Sequence, residues 1–258
     1  MGLALKRKDY TPEIKLYYHN DLLYQLAEEI IQFVWLNQTL SEDSIKFELV
    51  RDLRSKVYKM TFRDETYYLK SYTPQTVSKI VKNIFRSADA VRYFQTSIRI
   101  CQAGLVVAQP VLALTHQKSF HTVESIFVTR EVSGMDLHTY FIQEALYDPE
   151  LRKKTITQLI LVWTKLVKKH LVHQDPCLGN FIVCSDNQEK DFQIALIDVD
   201  NIYYRPWLPQ KLIELKNLRK LKQALLAMAN ADNTVPLPEI ILFWDEFMKQ
   251  YSSTQDCL

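Results

Sequence analysis

Between His173 and Asn180 the chain reads His-Gln-Asp-Pro-Cys-Leu-Gly-Asn, which sets Asp175 and Asn180 five positions apart. An acid so placed can face a substrate hydroxyl while the asparagine reaches back toward a metal, and Pro176 and Gly179 favour a tight, irregular path between them. Alone, this spacing is weak, since a capped loop or an Asx turn uses the same residues. A second group adds to it: the apolar run Ala195-Leu196-Ile197 ends in Asp198-Val199-Asp200. Magnesium takes a few hard oxygen ligands beside phosphate oxygens, a set that Asn180 and Asp198 could supply together. The third group is Lys70, inside the strand-like Thr66-Tyr67-Tyr68-Leu69-Lys70-Ser71-Tyr72, where a lysine can pair with the α and β phosphates of ATP. The plain alternatives are an acidic turn closing a strand and a lysine snorkelling at a sheet edge.

The elements that must position these groups follow from hydrophobic periodicity. Residues 20–36 carry apolar positions every third or fourth residue, which predicts an amphipathic helix. Strand-like runs follow at 45–52, 56–62 and 66–72, separated by polar turns at Arg54-Ser55 and Arg63-Asp64-Glu65. Helical sequence covers 75–103 and stops at Gly104, and two more strands are expected at 106–114 and 125–132. After Gly134 the chain turns helical. A helix with an apolar stripe is expected over 150–171, Trp163 in its buried face, then strands at 181–185 and 192–198, and helices over 209–230 and 237–251. The order is α+β: a five-stranded antiparallel N-lobe over residues 1–131 with an N-terminal helix and one long helix, then a mostly helical C-lobe over 132–258. With Asp-x-x-x-x-Asn directly after a long helix, this is the layout of a protein-kinase-like two-lobed fold.

Composition removes several classes. With 258 residues, net charge +2 and 47% apolar residues, the chain is an ordinary folded protein whose charge balance argues against a nucleic-acid partner. The basic clusters Lys6-Arg7-Lys8, Arg152-Lys153-Lys154 and Lys168-Lys169-His170 read as solvated helix faces and termini or as attraction to phosphate-rich and membrane surfaces. Four scattered cysteines without metal-ligand spacing, and no apolar run suited to a signal peptide or membrane span, lead to the expectation of a cytoplasmic protein with free thiols. Only four glycines occur, so neither a P-loop nor a G-x-G-x-x-G fingerprint exists.

The motifs together resemble the lipopolysaccharide core kinases, the WaaP/RfaY heptose kinase and Kdo kinase group. The resemblance rests on YYLKSYTP around Lys70, ICQAGL ending the following helix, VTREVSGMDL at the lobe junction, HLVHQDPCLGNFIV at the catalytic loop and ALIDVDN at the metal site. It spans roughly 45–205 and is most specific in the Asp-Pro-x-x-Gly-Asn-Phe-Ile-Val run. It implies ATP and Mg²⁺ as cofactors and transfer of the γ-phosphate to a heptose or Kdo hydroxyl. The acceptor it implies is the inner-core oligosaccharide or a lipid-linked precursor, with peripheral association at the inner membrane. Carried onto this chain, it makes Asp175 the catalytic base, Asn180 and Asp198 the magnesium ligands, Lys70 the phosphate clamp, and the Glu131-Val132 backbone the adenine contact.

The chain departs from the kinase pattern in three places. Asp89 is the single carboxylate between Lys70 and Glu124, so it is either a short-armed partner for Lys70 or an ordinary helix-start residue. The first strand turn, Val50-Arg51-Asp52-Leu53-Arg54-Ser55, offers arginines where glycines are usual, and Asp198-Val199-Asp200 stands where Asp-Phe-Gly is common. Two alternatives follow: a pseudokinase or regulatory nucleotide-binding module, and an aminoglycoside- or choline-type phosphotransferase sharing the same loop spacing. His173 is expected to brace the loop by hydrogen bonding, and Cys177 to be a small filler.

Overall fold

The computed structural model describes residues 5–19, 23–36, 45–52, 55–73, 87–119, 122–185, 192–231 and 235–255. The chain divides into two compact units, the first Met1–Ile98 with Ala108–Glu131, the second Arg99–Val107 with Val132–Leu258.

The first unit is built on a seven-stranded antiparallel sheet. Its strands are β1 (Lys6–Asp9), β2 (Ile14–Tyr18), β3 (Lys46–Asp52), β4 (Lys56–Phe62), β5 (Glu65–Tyr72), β7 (Pro110–Gln117) and β8 (Val123–Arg130), in the order β1-β2-β7-β8-β5-β4-β3. The five expected strands are joined by the β1–β2 hairpin, which adds to the free edge of β7 through Leu16↔Leu114. That hairpin turns at Thr11, whose hydroxyl accepts from the Glu13 and Ile14 amides. Between β4 and β5 the two loop residues Arg63 and Asp64 both adopt positive φ, the geometry of a type I′ turn that keeps Phe62 opposite Glu65. Helix α1 (Tyr24–Val34) lays Leu26, Ala27, Ile30 and Ile31 against Leu16, Met60, Leu69, Leu112 and Val128 on one face of the sheet. Burial of each such side chain contributes roughly 1.5–3 kcal/mol. Helix α2 (Asp89–Gln102) covers the other face through Phe94 against Phe127, centroids 6.2 Å apart. The expected helical segment before Asp89 lies outside the described residues, as does Arg54.

The second unit is mostly helical. After β9 (Met135–Asp136) come the one-turn α3 (Leu137–Tyr140) and a π-helical turn at Phe141–Ala145. Helix α4 (Pro149–Lys168) starts at Asp148, whose carboxylate accepts from the Glu150 and Leu151 amides, and has Pro149 in its first turn. Its buried stripe runs from Thr155 to Val167 and includes Trp163 at 0% exposure. Helices α5 (Gln210–Ala231) and α6 (Leu237–Gln255) pack against α4. Two small sheets complete the unit. One pairs β10 (Leu171–His173) with β13 (Ile202–Tyr204); the other runs β6 (Val106–Val107), β12 (Phe192–Leu196), β11 (Phe181–Ser185), β9. The expected strand at 106–114 is thus two: β6 joins this sheet in parallel with β12, and β7 joins the large one. Cys101, Cys177 and Cys184 are free thiols, and among the described residues no helix is long and apolar enough to cross a membrane.

Candidate active site

The loop that carries Asp175 is held by its backbone. Strand β10 pairs with β13 through Leu171↔Tyr204, Val172↔Tyr203 and His173↔Ile202, and the Gln174 amide extends the ladder by donating to the Asn201 carbonyl at 2.8 Å. Beyond it Pro176 and Leu178 turn inward while Asp175 and Cys177 are exposed. The 3₁₀ turn Leu178–Asn180 closes through the Asn180 amide to the Cys177 carbonyl at 2.9 Å. The Asn180 side chain then reaches back, its Nδ2 donating to the Asp175 carbonyl at 3.3 Å. That bond occupies the amide nitrogen and leaves the amide oxygen as the group able to meet a cation. Cys177 is exposed, so it fills no cavity.

Asn180 and Asp198 are neighbours across the β11–β12 hairpin. The ladder passes from Phe181↔Leu196 to one further bond, the Ile197 amide donating to the Asn180 carbonyl at 3.0 Å. Asp198 follows at once. One of its oxygens accepts from the Asp200 amide at 3.0 Å, an Asx turn, and Val199 is buried at 2% exposure. Three residues separated by up to 23 positions, Asp175, Asn180 and Asp198, are thus tied into one stretch of backbone. An amide oxygen and a carboxylate are the donor types that suit a hard cation such as magnesium. Among the described residues no group of three His, Cys, Asp or Glu could hold a metal ion.

Below the loop lies His173, 1% exposed. Its ring packs on Phe181 at 5.7 Å, and Phe181 in turn on Trp163 at 5.8 Å. Both ring nitrogens lack a hydrogen-bond partner among the described residues. Burial pushes the imidazole pKa down to about 4, with the Asp198 carboxylate pulling weakly the other way. His173 therefore braces the loop as a neutral ring by packing, not by the expected side-chain hydrogen bond. Its backbone amide is held separately, by the Oδ1 of Asn217 at 2.9 Å, while the Asn217 Nδ2 donates to the Leu171 carbonyl at 2.9 Å.

In the first unit Lys70 sits on β5, between Val57 of β4 and Phe127 of β8. Alternation along β5 puts Lys70 on the face shared by Tyr72 and Phe127, the face that α2 covers through Tyr93 against Tyr72 at 5.2 Å. Tyr67 and Leu69 point to the opposite face and are buried with α1. Asp89, in the first turn of α2, forms an ion pair with Arg92 of the same helix. Glu131, the last residue of this unit, donates its amide to the Thr66 carbonyl at 2.9 Å. Its carboxylate takes the Lys59 ammonium at 3.0 Å and the Tyr68 hydroxyl at 3.3 Å, and this contact raises the Lys59 pKa.

The profile of the lipopolysaccharide kinase (Kdo/WaaP) family matches residues 44–251. The chain belongs to that family. It is accordingly a kinase of the lipopolysaccharide core, a phosphotransferase acting on sugar hydroxyls. Among solved structures, WaaP in complex with acyl carrier protein is similar in fold, with a TM-score of 0.57 and 17% identity, over 88% of this chain and 96% of that one. The architecture is therefore kinase-like. No curated protein sequence matches the chain.

One feature of this kinase was not read from the sequence. Asn217 lies fully buried on α5, in the apolar row formed with Ile213 and Leu221, and a polar residue at a core position of an amphipathic helix was the available signal. Asp89, for which the sequence left two roles open, pairs with Arg92 in the first turn of α2.

Proposed function

We propose that this family member uses ATP with Mg²⁺ and transfers the γ-phosphate to a heptose or Kdo hydroxyl of the inner core, on a lipid-linked acceptor at a membrane surface. The observation that carries the reading is the backbone bond from Ile197 to Asn180, which brings the backbone leading into Asp198 next to Asn180, with exposed Asp175 joined to Asn180 at 3.3 Å. Asn180 and Asp198 would hold the magnesium, which supplies charge neutralisation on the phosphates. Lys70 would hold phosphate oxygens. Because the Glu131 amide already serves Thr66, the adenine contact falls to the Glu131 carbonyl and the Val132 amide.

Asp175 would orient the sugar hydroxyl and accept its proton. The hydroxyl oxygen forms a bond to the γ-phosphorus, the bond from that phosphorus to the β–γ bridging oxygen breaks, and ADP carries away the electron pair. Exposure of Asp175 beside a backbone-locked turn suits an acceptor as large as an oligosaccharide. The test is phosphate transfer from labelled ATP to purified inner-core acceptors. Asp175→Asn should cut turnover by about 10²–10⁴-fold with Mg-ATP binding retained; undiminished turnover overturns the assignment.

The alternative, a nucleotide-binding module without transfer, draws on the pairing of Asp89 with Arg92 in a kinase that lacks the usual helix glutamate. It requires that wild-type protein melt higher with Mg-ATP yet phosphorylate no inner-core sugar.

A further inference from the structure

Immediately after the metal segment, the chain leaves β13 and enters α5 through a turn that exposes Trp207 at 71%. Tyr204, just before it, is 44% exposed, and on the outward face of α5 Leu212 is 46% and Leu215 53% exposed. Large apolar side chains this open are each unremarkable. Their setting is not. From Tyr203 to Gln223 the sequence has six lysines and arginines against one acid, and that acid, Glu214, is ion-paired with Lys211 at 2.8 Å. Around the helix the two leucines lie at the centre of the solvent face, with Lys211 and Lys222 on one flank and Lys216 on the other. Arg219 lies one turn on, between the leucine positions. The aromatic end is cationic as well: Arg205 stands over Trp207 at 5.9 Å, and Arg99 over Tyr204 at 4.8 Å.

An apolar centre with cationic flanks, ending in tryptophan and tyrosine, is the arrangement of a helix that lies in the interface of an anionic bilayer. The exposed apolar residues of α6 give the contrast. Leu237, Ile241 and Leu242 are similarly open, but Glu239, Asp245 and Glu246 stand among them, which an anionic surface would repel. The face on α5 also continues into the catalytic backbone. Tyr204 pairs with Leu171, and two strand steps of about 3.3 Å each lead back to His173 and Ile202, at the root of the Asp175 loop.

We infer that the Tyr204–Arg219 face docks this kinase on an anionic lipid surface, with Trp207, Leu212 and Leu215 entering the headgroup layer and Lys216 and Arg219 meeting lipid phosphates. The inference deepens the reading of a lipid-linked acceptor given above and rests on it for its biological sense. Its test is independent of that reading. The full chain is sedimented with vesicles of phosphatidylglycerol and phosphatidylcholine, and with phosphatidylcholine alone. In parallel it is assayed on a delipidated, water-soluble core oligosaccharide and on the same core embedded in the anionic vesicles.

Wild-type protein should bind the anionic vesicles and lose them with added salt. Lys216→Gln with Arg219→Gln should weaken partitioning by about fivefold per charge, and Trp207→Ser with Leu215→Ser by tenfold or more. Both pairs should lose transfer to the embedded acceptor and keep transfer to the soluble one. If the variants sediment like wild type, or if wild type ignores anionic vesicles while phosphorylating the soluble acceptor, the docking face is overturned and the proposed reaction stands. Failure to phosphorylate even the soluble acceptor, with vesicle binding still dependent on these residues, would overturn the reaction and keep the face.

Discussion

Replacing Asn217 tests whether the Asp175 loop is built from beneath. Strand β10 has a partner, β13, on one edge only, so the amide of His173 and the carbonyl of Leu171 point toward α5. The Asn217 side chain meets both at 2.9 Å and is fully buried. Asn217→Ala leaves these two groups where water does not compensate, at about 1–3 kcal/mol for each buried group left unmade. The sum is about 2–6 kcal/mol, and in a chain of this size about 2–4 °C per kcal/mol gives a melting point lower by about 4–24 °C. Because Asp175 is only two residues from His173, turnover should fall by about one to two orders of magnitude from misplacement of the loop. The KM for ATP should change little. Asn217→Leu separates packing from hydrogen bonding, since it keeps the volume and removes both bonds. Asn217→Asp restores the acceptor for His173 but sets a second oxygen against the Leu171 carbonyl, and should fall between wild type and alanine at best. Differential scanning calorimetry and steady-state phosphate transfer on the three variants give the answer. A leucine variant that melts within 2 °C of wild type and turns over normally would refute the reasoning.

Further outcomes follow from other parts of the structure. Lys70→Met keeps an aliphatic stem and removes the charge, so kcat/KM for ATP should drop about tenfold or more; unchanged kinetics would remove Lys70 from the nucleotide site. His173, with its pKa depressed to about 4 by burial, binds its proton more readily unfolded, where the ordinary value is about 6.5. The stability it contributes is complete above about pH 6.5 and is lost as pH falls toward 4, about 3 kcal/mol in all. Denaturant titrations between pH 7 and 4 should show a shallower acid slope for His173→Leu than for wild type, and equal slopes would refute this. Gly134→Ala should destabilise the protein by about 2 kcal/mol or more, measured by denaturant midpoint, because φ is +147° and a Cβ would run into the Val183 carbonyl and lie 2.6 Å from Ile182 Cγ2; a neutral substitution would contradict the close approach of β9 to β11.

Elements with a strong period were legible in the sequence. Alternation over 66–72 and the apolar stripe over 150–171 correspond to β5 and α4 within three residues at either end. What escaped notice was short. Strands β9, β10 and β13 have two or three residues each, too few for any period, and exist because a partner distant in sequence completes them. The β1–β2 hairpin escaped for a related reason: Lys6-Arg7-Lys8 reads as a solvated terminus, and only the open edge of β7 makes it a strand. His173 shows where residue type misleads. Histidine two residues before Asp175 suggested hydrogen bonding, but with Phe181 against the ring and no partner at either nitrogen among the described residues, burial decides its role.

The residues with recognisable spacing do not hold themselves in place. Asp175 depends on the ladder from Leu171 to Gln174, Asn180 on its amide to Cys177, and Asp198 on a strand bond from its predecessor and an Asx turn to its successor. Beneath them Asn217, Phe181 and Val199 are all at 2% exposure or less, and none carries a side chain assigned a chemical role. A motif therefore locates chemistry, while geometry comes from buried groups whose positions depend on tertiary pairing. Helix α5 illustrates the division within 20 residues. Its inner row holds the loop through Asn217, and its outer row presents leucines among lysines to solvent. Changes on the outer row should leave the melting temperature near wild type, whereas a change at Asn217 should not. A single helix that separates the two effects would establish that the loop is supported from the core and not from the surface.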